Sequence, residues 1–457
     1  MVTHVFIDCT HTYGTLANTG IQRVVRSVLL HAVEAGKLVG VECIPVAYDG
    51  ENFQRVDVAP LRVSRRPTRR SKYVGYARAI YHHARQAVYR ALPFELVHRF
   101  LFAPKHAFGL TRLLHLPVRI AGRVRATRSA TDPISFDRDS ILLMLDAPVG
   151  LDPWDCVRLA KKDGAFVVGT IYDLLPVTFP ELFLPSLRRA FDDWIRSAVR
   201  DCDALMTISK TMQDELEAFI RRDMSRAPPP VACFPLGFEL DWAETSGPVR
   251  EEIVALFDIS NSAAPMFMTV GTVEPRKEHL TIVGAFSRLW RSGVDVRLLV
   301  IGAVGWKCER VIEAISRHPE LRRRLFWFKD LSDAELAYCY RHADGVVAAS
   351  LAEGSGLPLI EALARGLPVV ASNIAVFREI GGASACYFPV GDEAELAERV
   401  RTLLRHARPD ARPIRWPGWH ECTRILLDQI VELRERDRAS RPANHEVRLP
   451  ESSGLVA

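Results

Sequence analysis

Short apolar runs typical of buried strands alternate with helical patterns twice along this chain. The first series runs from residue 4 to 237, and the second from 265 to 407. Strands that alternate with helices predict right-handed βαβ units and therefore parallel sheets covered by helices. The chain has 457 residues, enough for two or three domains of ordinary size. We expect two parallel α/β domains that face a cleft, because ligands of such sheets bind at their carboxyl edges.

A basic stretch at residues 61–128 interrupts the first series. It contains sixteen Lys or Arg residues and one acid, Glu95, and so carries about +15, whereas the whole chain has a net charge of +5. Tyrosine and aliphatic residues recur near helical spacing between residues 72 and 92. A basic amphipathic helix is typical of elements that lie on an anionic membrane surface. A solvated helical insertion would have the same pattern, and we expect no nucleic-acid partner.

The cysteines and the first residues indicate the compartment. Nine cysteines are scattered without a CxxC pair, which fits a reducing compartment and lacks the spacing of a zinc site. The N-terminus has neither the basic start nor the long apolar core of a signal peptide. No run approaches the ~20 apolar residues of a membrane span. We expect a cytoplasmic protein, peripheral on the inner face of a membrane if the basic stretch binds lipid.

A glycine-rich turn in the second series predicts an anion site. It follows a strand and opens a helix, so its backbone N–H groups lie at a helix N-terminus, where the helix dipole favours anions. The turn and the first helical residue are Gly354, Ser355, Gly356 and Leu357. Glu353 and Glu361 flank it, and carboxylates suit hydroxyl groups better than phosphate. We therefore expect a phosphate-linked sugar, although a surface helix with two incidental acids is the alternative.

Two cations follow another strand of the same predicted sheet. Gly271 ends that strand, and Arg276 and Lys277 come next, with a helix expected to begin near Lys277. An arginine fork and a lysine point charge together suit a diphosphate. Cations at a helix start oppose the helix dipole and cost stability unless an anion is present. The cation pair and the glycine turn therefore predict one diphosphate site.

The first series contains a second candidate for anion binding. Gly14, Gly20 and Arg23 lie in or just after the loop that follows the first strand, at the predicted carboxyl edge. The alternative is that both glycines are turn residues only. Apolar spacing predicts a helix that starts near residue 21 and stops at Gly36.

Seven short segments resemble a known enzyme family. The three specific matches are GTVEPRKEH (271–279), EGSGLPLIE (353–361) and GLPVVAS (366–372). Weaker matches are TGIQRVV (19–25), YDLLP (172–176), TISK (207–210) and PLG (235–237). On these motifs, over roughly residues 1–50 and 140–430, the sequence resembles the retaining GT-B glycosyltransferases of family 4, the glycosyl transferases group 1.

The resemblance implies two Rossmann-like domains around an interdomain cleft. Residues 1–240, with the basic helical insertion, would bind the acceptor, and residues 262–410 would bind the nucleotide sugar. Residues 411–436 would form a C-terminal helix that crosses back to the first domain. Residues 437–457 are polar, contain prolines and are predicted to be disordered.

The resemblance also implies transfer of a sugar from a nucleotide-diphosphate donor with retention of configuration. Arg276 and Lys277 would hold the diphosphate while charge develops on the leaving group. Glu353 would accept hydrogen bonds from the sugar hydroxyls, and Glu361 would bind the ribose. Further implied donor contacts are Gly271, the turn residues Gly354, Ser355, Gly356 and Leu357, and, for the nucleobase, the backbone of Lys329 and Leu331 in the turn 328–331. Because no DxD pair stands at a strand end and cations can take a metal's part, no metal or other cofactor is expected.

One motif departs from the family pattern. Many members carry His-Asp where this chain has Tyr172 and Asp173. A tyrosine, with an unperturbed pKa of about 10, is a weak base near neutral pH, so base catalysis by a histidine at this position is excluded. Asp173 is expected to orient the acceptor or the sugar, or else to cap a turn, and the donor phosphate could receive the acceptor proton. Tyr172 and Ser209 are assigned to the acceptor side.

The identity of the sugar rests on the resemblance alone. Motifs of the GTxEPRKxH type recur among mannosyl- and rhamnosyltransferases of surface polysaccharides. We therefore expect mannose from GDP-mannose as the donor group and a glycan linked to polyprenyl diphosphate as the acceptor. The alternatives are a rhamnosyl- or UDP-sugar-dependent transferase, and a non-catalytic protein of the same fold that binds a glycan or another anion.

Overall fold

The structure, a computed structural model, describes residues 2–15, 20–59, 134–147, 151–238, 247–258, 264–405 and 413–440. The predicted basic insertion at 61–128 and most of the predicted tail lie outside these ranges. Among the helices that are described, none is both long and apolar enough to cross a bilayer.

The first domain is built on a seven-stranded sheet. Its strands are β1 (His4–Asp8), β2 (Glu42–Tyr48), β3 (Phe53–Arg55), β4 (Ser140–Met144), β5 (Phe166–Ile171), β6 (Ala204–Thr207) and β7 (Val231–Cys233). They lie in the order β3-β2-β1-β4-β5-β6-β7, all parallel except β3, which runs antiparallel to β2. Every residue of β4 and β5 is buried, because helices cover both faces of a parallel sheet.

The helices of the first domain connect these strands. They are α1 (Thr10–Gly14), α2 (Gly20–Val39), α3 (Trp154–Lys162), α4 (Leu175–Thr178), α5 (Pro185–Asp201) and α6 (Lys210–Asp223). The prediction that Gly36 ends the first long helix is wrong, since α2 continues to Val39. A Cβ on Gly36 would lie 2.7 Å from the carbonyl oxygen of Val41. The glycine therefore allows the chain leading into β2 to approach the helix closely.

The second domain is built on a six-stranded sheet. Its strands are β8 (Met266–Val270), β9 (Arg297–Ile301), β10 (Leu325–Phe328), β11 (Gly345–Ala348), β12 (Val369–Ser372) and β13 (Cys386–Phe388). They are all parallel, in the order β10-β9-β8-β11-β12-β13. Its helices are α7 (Glu251–Leu256), α8 (His279–Arg291), α9 (Glu309–Ser316), α10 (Asp333–His342), α11 (Leu357–Ala364), α12 (Ala375–Gly381) and α13 (Glu393–Arg405). Two parallel-sheet α/β domains confirm the predicted fold class.

A C-terminal helix, α14 (Trp419–Ser440), packs along α2 of the first domain. Its buried Arg434 donates to the backbone carbonyls of Arg138 and Gly164, over 2.8 and 3.2 Å. Arg438 lies 2.6 Å from the carboxylate of Asp139. The predicted start of the tail at residue 437 is therefore too early, because these contacts with the first domain continue through the last turn of the helix.

The carboxyl edges of the two sheets face each other, and three contacts join the loops beside them. Glu379 of α12 accepts hydrogen bonds from the backbone N–H groups of Lys210 and Thr211, over 2.8 and 2.7 Å, at the positive end of α6. Trp306 donates its indole N–H to the carbonyl of Leu182 over 2.9 Å. Lys307 binds the carbonyl of Phe183 over 3.0 Å. These contacts hold the two domains in a closed arrangement.

Candidate active site

The predicted cations and the glycine turn come together because their strands are neighbours. β8 pairs with β11 in parallel, so the loops that follow them leave the same edge of the sheet. The backbone N–H of Leu351 donates to the carbonyl of Arg276 over 2.8 Å and joins the two loops. This edge of the second domain is the candidate active site.

Glu353 lies between the two cations. Its Oε2 is 2.5 Å from Nη1 of Arg276, and its Oε1 forms an ion pair with Nζ of Lys277. The hydroxyl of Ser350 donates to the same Oε1 over 2.7 Å. Burial by itself raises the pKa of Glu353, but Arg276 and Lys277 outweigh it and lower the pKa to about 2. The carboxylate is therefore ionised near neutral pH. We call Arg276, Lys277 and Glu353 the charge cluster.

The positive charges of Arg276 and Lys277 are paired with carboxylates and are not left unpaired at the start of a helix. They lie in a single 3₁₀ turn, Pro275–Lys277, and α8 begins two residues later than expected, at His279. Glu278 separates the two helices because it has a left-handed conformation, with φ of 48°. Nε of Arg276 lies 2.7 Å from the buried carboxylate of Glu274. Charge balance thus comes from two acids of the protein.

Two glycines shape the backbone around the charge cluster. Gly271 has φ of 148° and Gly356 has φ of 147°, conformations that side chains disfavour. A Cβ on Gly356 would also lie 2.8 Å from the ring of Phe377. Gly356 is the N-cap of α11, and Pro358, in its first turn, has no N–H. The N–H groups that this turn offers an anion are therefore those that precede Pro358, including that of Leu357.

A small cavity adjoins the charge cluster. Its volume is about 10 Å³, about that needed for one water molecule, and its lining includes Lys277, His279, Ser350 and Gly356. Burial, with Lys277 as the second cause, lowers the pKa of His279 to about 3, so the imidazole is neutral. Sequence reasoning assigned no role to His279, Glu274 or Ser350. The first two lie within the quoted motif GTVEPRKEH, but nothing in the sequence marked Ser350.

The first domain contacts the glycine turn through the Ser209 side chain and the backbone of Tyr172. Ser209 caps α6 by accepting a hydrogen bond from the N–H of Met212, and its own hydroxyl donates to the carbonyl of Gly354 over 2.9 Å. A Cβ on Gly354 would overlap the carbonyl oxygen of Tyr172 and lie 3.2 Å from Cβ of Asp173. The second domain thus needs a glycine here because the backbone of the first domain passes so close.

Tyr172 and Asp173 have different surroundings. The Tyr172 hydroxyl donates to the carbonyl of Leu145 over 2.8 Å within the first domain, and burial raises the pKa of this phenol well above its ordinary value. Asp173 accepts a hydrogen bond from the N–H of Leu175 over 3.1 Å, which is the turn-capping role. Burial raises the pKa of Asp173 although Arg276 opposes it. Asp173 therefore lies within electrostatic reach of the charge cluster.

The other predicted residues of the first domain lie nearer to Glu361. Arg23 of α2 forms an ion pair with Glu361 of α11, so it meets a carboxylate where we expected an anionic ligand. Gly14 ends α1 and Gly20 begins α2. A Cβ on either glycine would meet no heavy atom within 4 Å, so no close contact in the described residues demands them.

The predicted nucleobase turn follows β10. Lys329 is exposed, and its ammonium lies 4.2 Å from the centroid of the Trp327 ring. Leu331 is half-buried, just before Ser332, the N-cap of α10. Because β10 is parallel to β9 and β8, this turn leaves the same edge of the sheet as the charge cluster.

Two buried acids lie at the carboxyl edge of the first domain. Asp8 ends β1, and Asp146 follows β4; both are fully buried. Asp8 accepts from the N–H of Thr10 over 3.0 Å, and Asp146 from the N–H of Thr12 over 2.5 Å, so both hold α1. Burial, with Asp146 as the second cause, raises the pKa of Asp8 to about 7. Within the described ranges, no group of three or more His, Cys, Asp or Glu side chains is arranged to hold a metal ion.

The chain is similar in sequence to known glycosyltransferases. Residues 257–415 match the family described as Glycosyl transferases group 1. The serotype-specific mannosyltransferase WbdA of Escherichia coli is 33% identical over 311 residues, which are 66% of this chain and 38% of WbdA. The O-antigen chain mannosyltransferase RfbU of Salmonella typhimurium is 22% identical over 250 residues, 53% of this chain and 61% of RfbU. The chain thus spans well under half of WbdA.

Solved structures share the two-domain arrangement. Sucrose-phosphate synthase from Thermosynechococcus elongatus superimposes with a TM-score of 0.56 at 17% identity, covering 96% of this chain and 100% of that one. At this identity the likeness concerns the fold alone. Residues 257–415 thus match a glycosyl transferases group 1 domain, and the two facing Rossmann-like domains give the chain the GT-B fold.

Proposed function

We propose that this protein is a retaining glycosyltransferase that moves a hexosyl group from a nucleotide-diphosphate sugar onto a growing, lipid-linked surface glycan. The observation that carries the proposal is the charge cluster at the carboxyl edge of the second domain. Two cations with low exposure, 20% for the Arg276 side chain and 14% for Lys277, are directed at one carboxylate in a cleft between two domains. Such a group of fixed charges is suited to a reaction in which negative charge develops on a leaving diphosphate.

In the proposed reaction the donor diphosphate lies against Arg276 and Lys277. The cations then stabilise the departing nucleoside diphosphate, while the Glu353 carboxylate accepts hydrogen bonds from hydroxyl groups of the transferred sugar. Ser350 and the two cations restrict the carboxylate to one orientation, which lowers the entropic cost of holding the sugar. Asp173, on the opposite wall of the cleft, orients the acceptor hydroxyl, whose proton passes to the donor phosphate as the bond from the sugar to the diphosphate breaks.

Mannose is the sugar that we propose, with GDP-mannose as its donor. The support is the likeness to WbdA and RfbU, both of which are named as mannosyltransferases. An O-antigen-like surface polysaccharide on a polyprenyl diphosphate is the acceptor that follows from the same likeness. A rhamnosyl donor or a UDP-sugar donor is the alternative that a donor screen distinguishes.

A donor screen tests the proposed reaction. Purified protein is incubated with GDP-mannose, UDP-glucose or dTDP-rhamnose and a glycan acceptor, with and without a chelator, and release of the nucleoside diphosphate by transfer of the sugar to the acceptor or to water is measured. We expect release from GDP-mannose that the chelator does not reduce, because the cations of the charge cluster can stabilise the leaving diphosphate as a metal ion does in other enzymes. The Glu353→Gln variant should lose turnover but still bind GDP. Release from none of the donors, by a folded protein, would reject the proposal.

We propose, in addition, that residues 61–128 place the enzyme on an anionic membrane. The support is the charge of this segment, about +15, since each Lys or Arg near an anionic surface contributes on the order of 1 kcal/mol of attraction. The full chain should float with vesicles of anionic lipid, and a chain without 61–128 should not. Neutral vesicles are the control. Equal flotation of both proteins with anionic vesicles would contradict the membrane role.

A further inference from the structure

Arg23 and Glu361 form an ion pair that joins the two domains. Arg23 lies on α2 of the first domain, and its Nη2 contacts Oε1 of Glu361 on α11 of the second. Both side chains are shielded from water, with exposed fractions of 22% for Arg23 and 5% for Glu361. Screening by solvent is therefore weak, and the pair has a stronger effect on its surroundings than a surface pair would.

The Glu361 carboxylate uses only part of its capacity for hydrogen bonds. While Oε1 is held by Arg23, Oε2 is buried and accepts no hydrogen bond from a residue that the structure describes. The buried hydroxyl of Tyr340 lies beside the same carboxylate; burial, then the charge of Glu361 and hydrogen bonding to it, raise the pKa of this phenol, so Tyr340 takes at most one acceptor position. Each carboxylate oxygen can accept two hydrogen bonds. Oε2 therefore has room for a hydroxyl group of a ligand.

Arg365 contacts the backbone of Glu361 and forms no hydrogen bond with its carboxylate in the described structure. Arg365 donates to the backbone carbonyl of Glu361 over 3.0 Å. Its guanidinium lies 4.7 Å from the ring centroid of Phe238 and 4.8 Å from that of Tyr340, so it is held between two aromatic rings. Among the described residues, Arg23 is thus the cation that forms an ion pair with the carboxylate itself.

The position of Arg23 between acids also favours this role. Besides Glu361, Asp333 at the start of α10 acts on the pKa of Arg23, and burial, which by itself lowers that pKa, is outweighed. Arg26, one turn further along α2, interacts with Asp333 and Asp146. The first domain therefore directs two cations towards the acids of the second domain. The acids Glu361 and Asp333 hold Arg23 in place in the absence of a ligand.

We propose that Arg23 is a positioning residue of the donor site, which holds Glu361 so that Oε2 accepts a hydroxyl group of the donor's ribose. This inference rests on the proposed function, because it takes a nucleoside diphosphate as the ligand. Since Arg23 belongs to the first domain, the carboxylate that would meet the ribose is held from across the cleft. The acceptor-binding domain thereby takes part in nucleotide recognition without touching the nucleotide.

Calorimetry with ribose-modified nucleotides tests this inference. The probes are GDP and 2′,3′-dideoxy-GDP, and the same pair of UDP compounds, titrated into the full chain and its variants. The wild type should bind the ribose form at least about tenfold more tightly, as expected for a hydrogen bond to a charged acceptor. In Arg23→Gln this preference should fall to about twofold or less, because a carboxylate that is free to turn gives up most of that bond. Arg23→Lys should retain an intermediate preference for the ribose form. It can replace Arg23→Gln in the test if that variant does not fold.

The matched control separates positioning from domain closure. Glu379→Gln weakens another contact between the domains, at the start of α6, without touching Glu361. This variant should keep the wild-type preference for ribose even if its overall affinity falls. A ribose preference that is unchanged in both Arg23 variants, or lost equally in Glu379→Gln, would overturn the positioning role and leave the proposed donor site intact. Failure of the folded wild type to bind either nucleotide would reject both the inference and the proposed function.

Discussion

The Lys277→Ala variant is expected to turn over its sugar donor about 100- to 1,000-fold more slowly than the wild type. In the proposed reaction Lys277 supplies a compact positive charge to the leaving diphosphate, and a water molecule that enters the variant site would supply no such fixed charge. The affinity for the free nucleoside diphosphate should fall less than turnover, because Arg276 and the glycine turn still contact the ground state. Single-turnover kinetics together with calorimetry measures the two effects separately.

Two comparisons make the Lys277 result interpretable. Lys162 is an exposed lysine at the end of α3, so Lys162→Ala removes the same charge far from the cluster and should leave turnover unchanged. Thermal melting shows whether Lys277→Ala is folded; we expect it to be, since Glu353 keeps its contacts with Arg276 and Ser350. A folded Lys277→Ala variant with wild-type turnover would mean that the diphosphate binds elsewhere.

Gly354→Ala is expected to reduce turnover by about 100-fold, because a displacement of about 1 Å in an active site can have an effect of that size. The added Cβ would overlap the carbonyl oxygen of Tyr172, which is backbone and cannot turn away. The domains must then separate, and the hydrogen bond from Ser209 to the carbonyl of Gly354 is lost with them. Binding of the free nucleoside diphosphate to the second domain should be much less affected.

A second glycine provides the control for Gly354. A Cβ on Gly418, just before α14, would come no closer than 3.7 Å to another heavy atom, which is ordinary contact. Gly418→Ala should therefore have the turnover of the wild type. Small-angle scattering of the two variants should show a larger radius of gyration for Gly354→Ala alone. If Gly354→Ala retains full turnover, catalysis does not require the closed arrangement.

The charge cluster could be predicted from the sequence only in part. Local patterns placed Arg276 and Lys277 after one strand and Glu353 after another, and parallel pairing brings such loops to one edge. The same patterns led us to expect cations with unbalanced charge at a helix start. The structure instead pairs both cations with Glu353, and Arg276 also with Glu274. Contacts between side chains of different loops depend on distances in the folded protein, and these distances cannot be calculated from the spacing of residues along the chain.

The roles of glycines were also difficult to predict from the sequence. A glycine can be read as a turn or a helix stop from local propensity, and on that basis Gly36 was expected to end a helix. Gly36 lies inside α2 because the chain before β2 packs against it, and Gly354 is needed because the backbone of the other domain is in contact with it. Both reasons arise from chain segments that are distant in sequence, as is the partner of Arg23.

The amino-acid sequence alone was enough to predict the alternation of strands and helices, the two parallel α/β domains, the grouping of Arg276, Lys277 and Glu353 at one edge of the second sheet, and the family resemblance. These features follow from local periodicity and from short motifs, which depend on neighbouring residues. Three features became visible only in the folded protein: which charges neutralise each other, why Gly354 is a glycine, and that Arg23 of one domain pairs with Glu361 of the other. Those properties depend on how the two domains pack across the cleft, where groups hundreds of residues apart come into contact and exclude water.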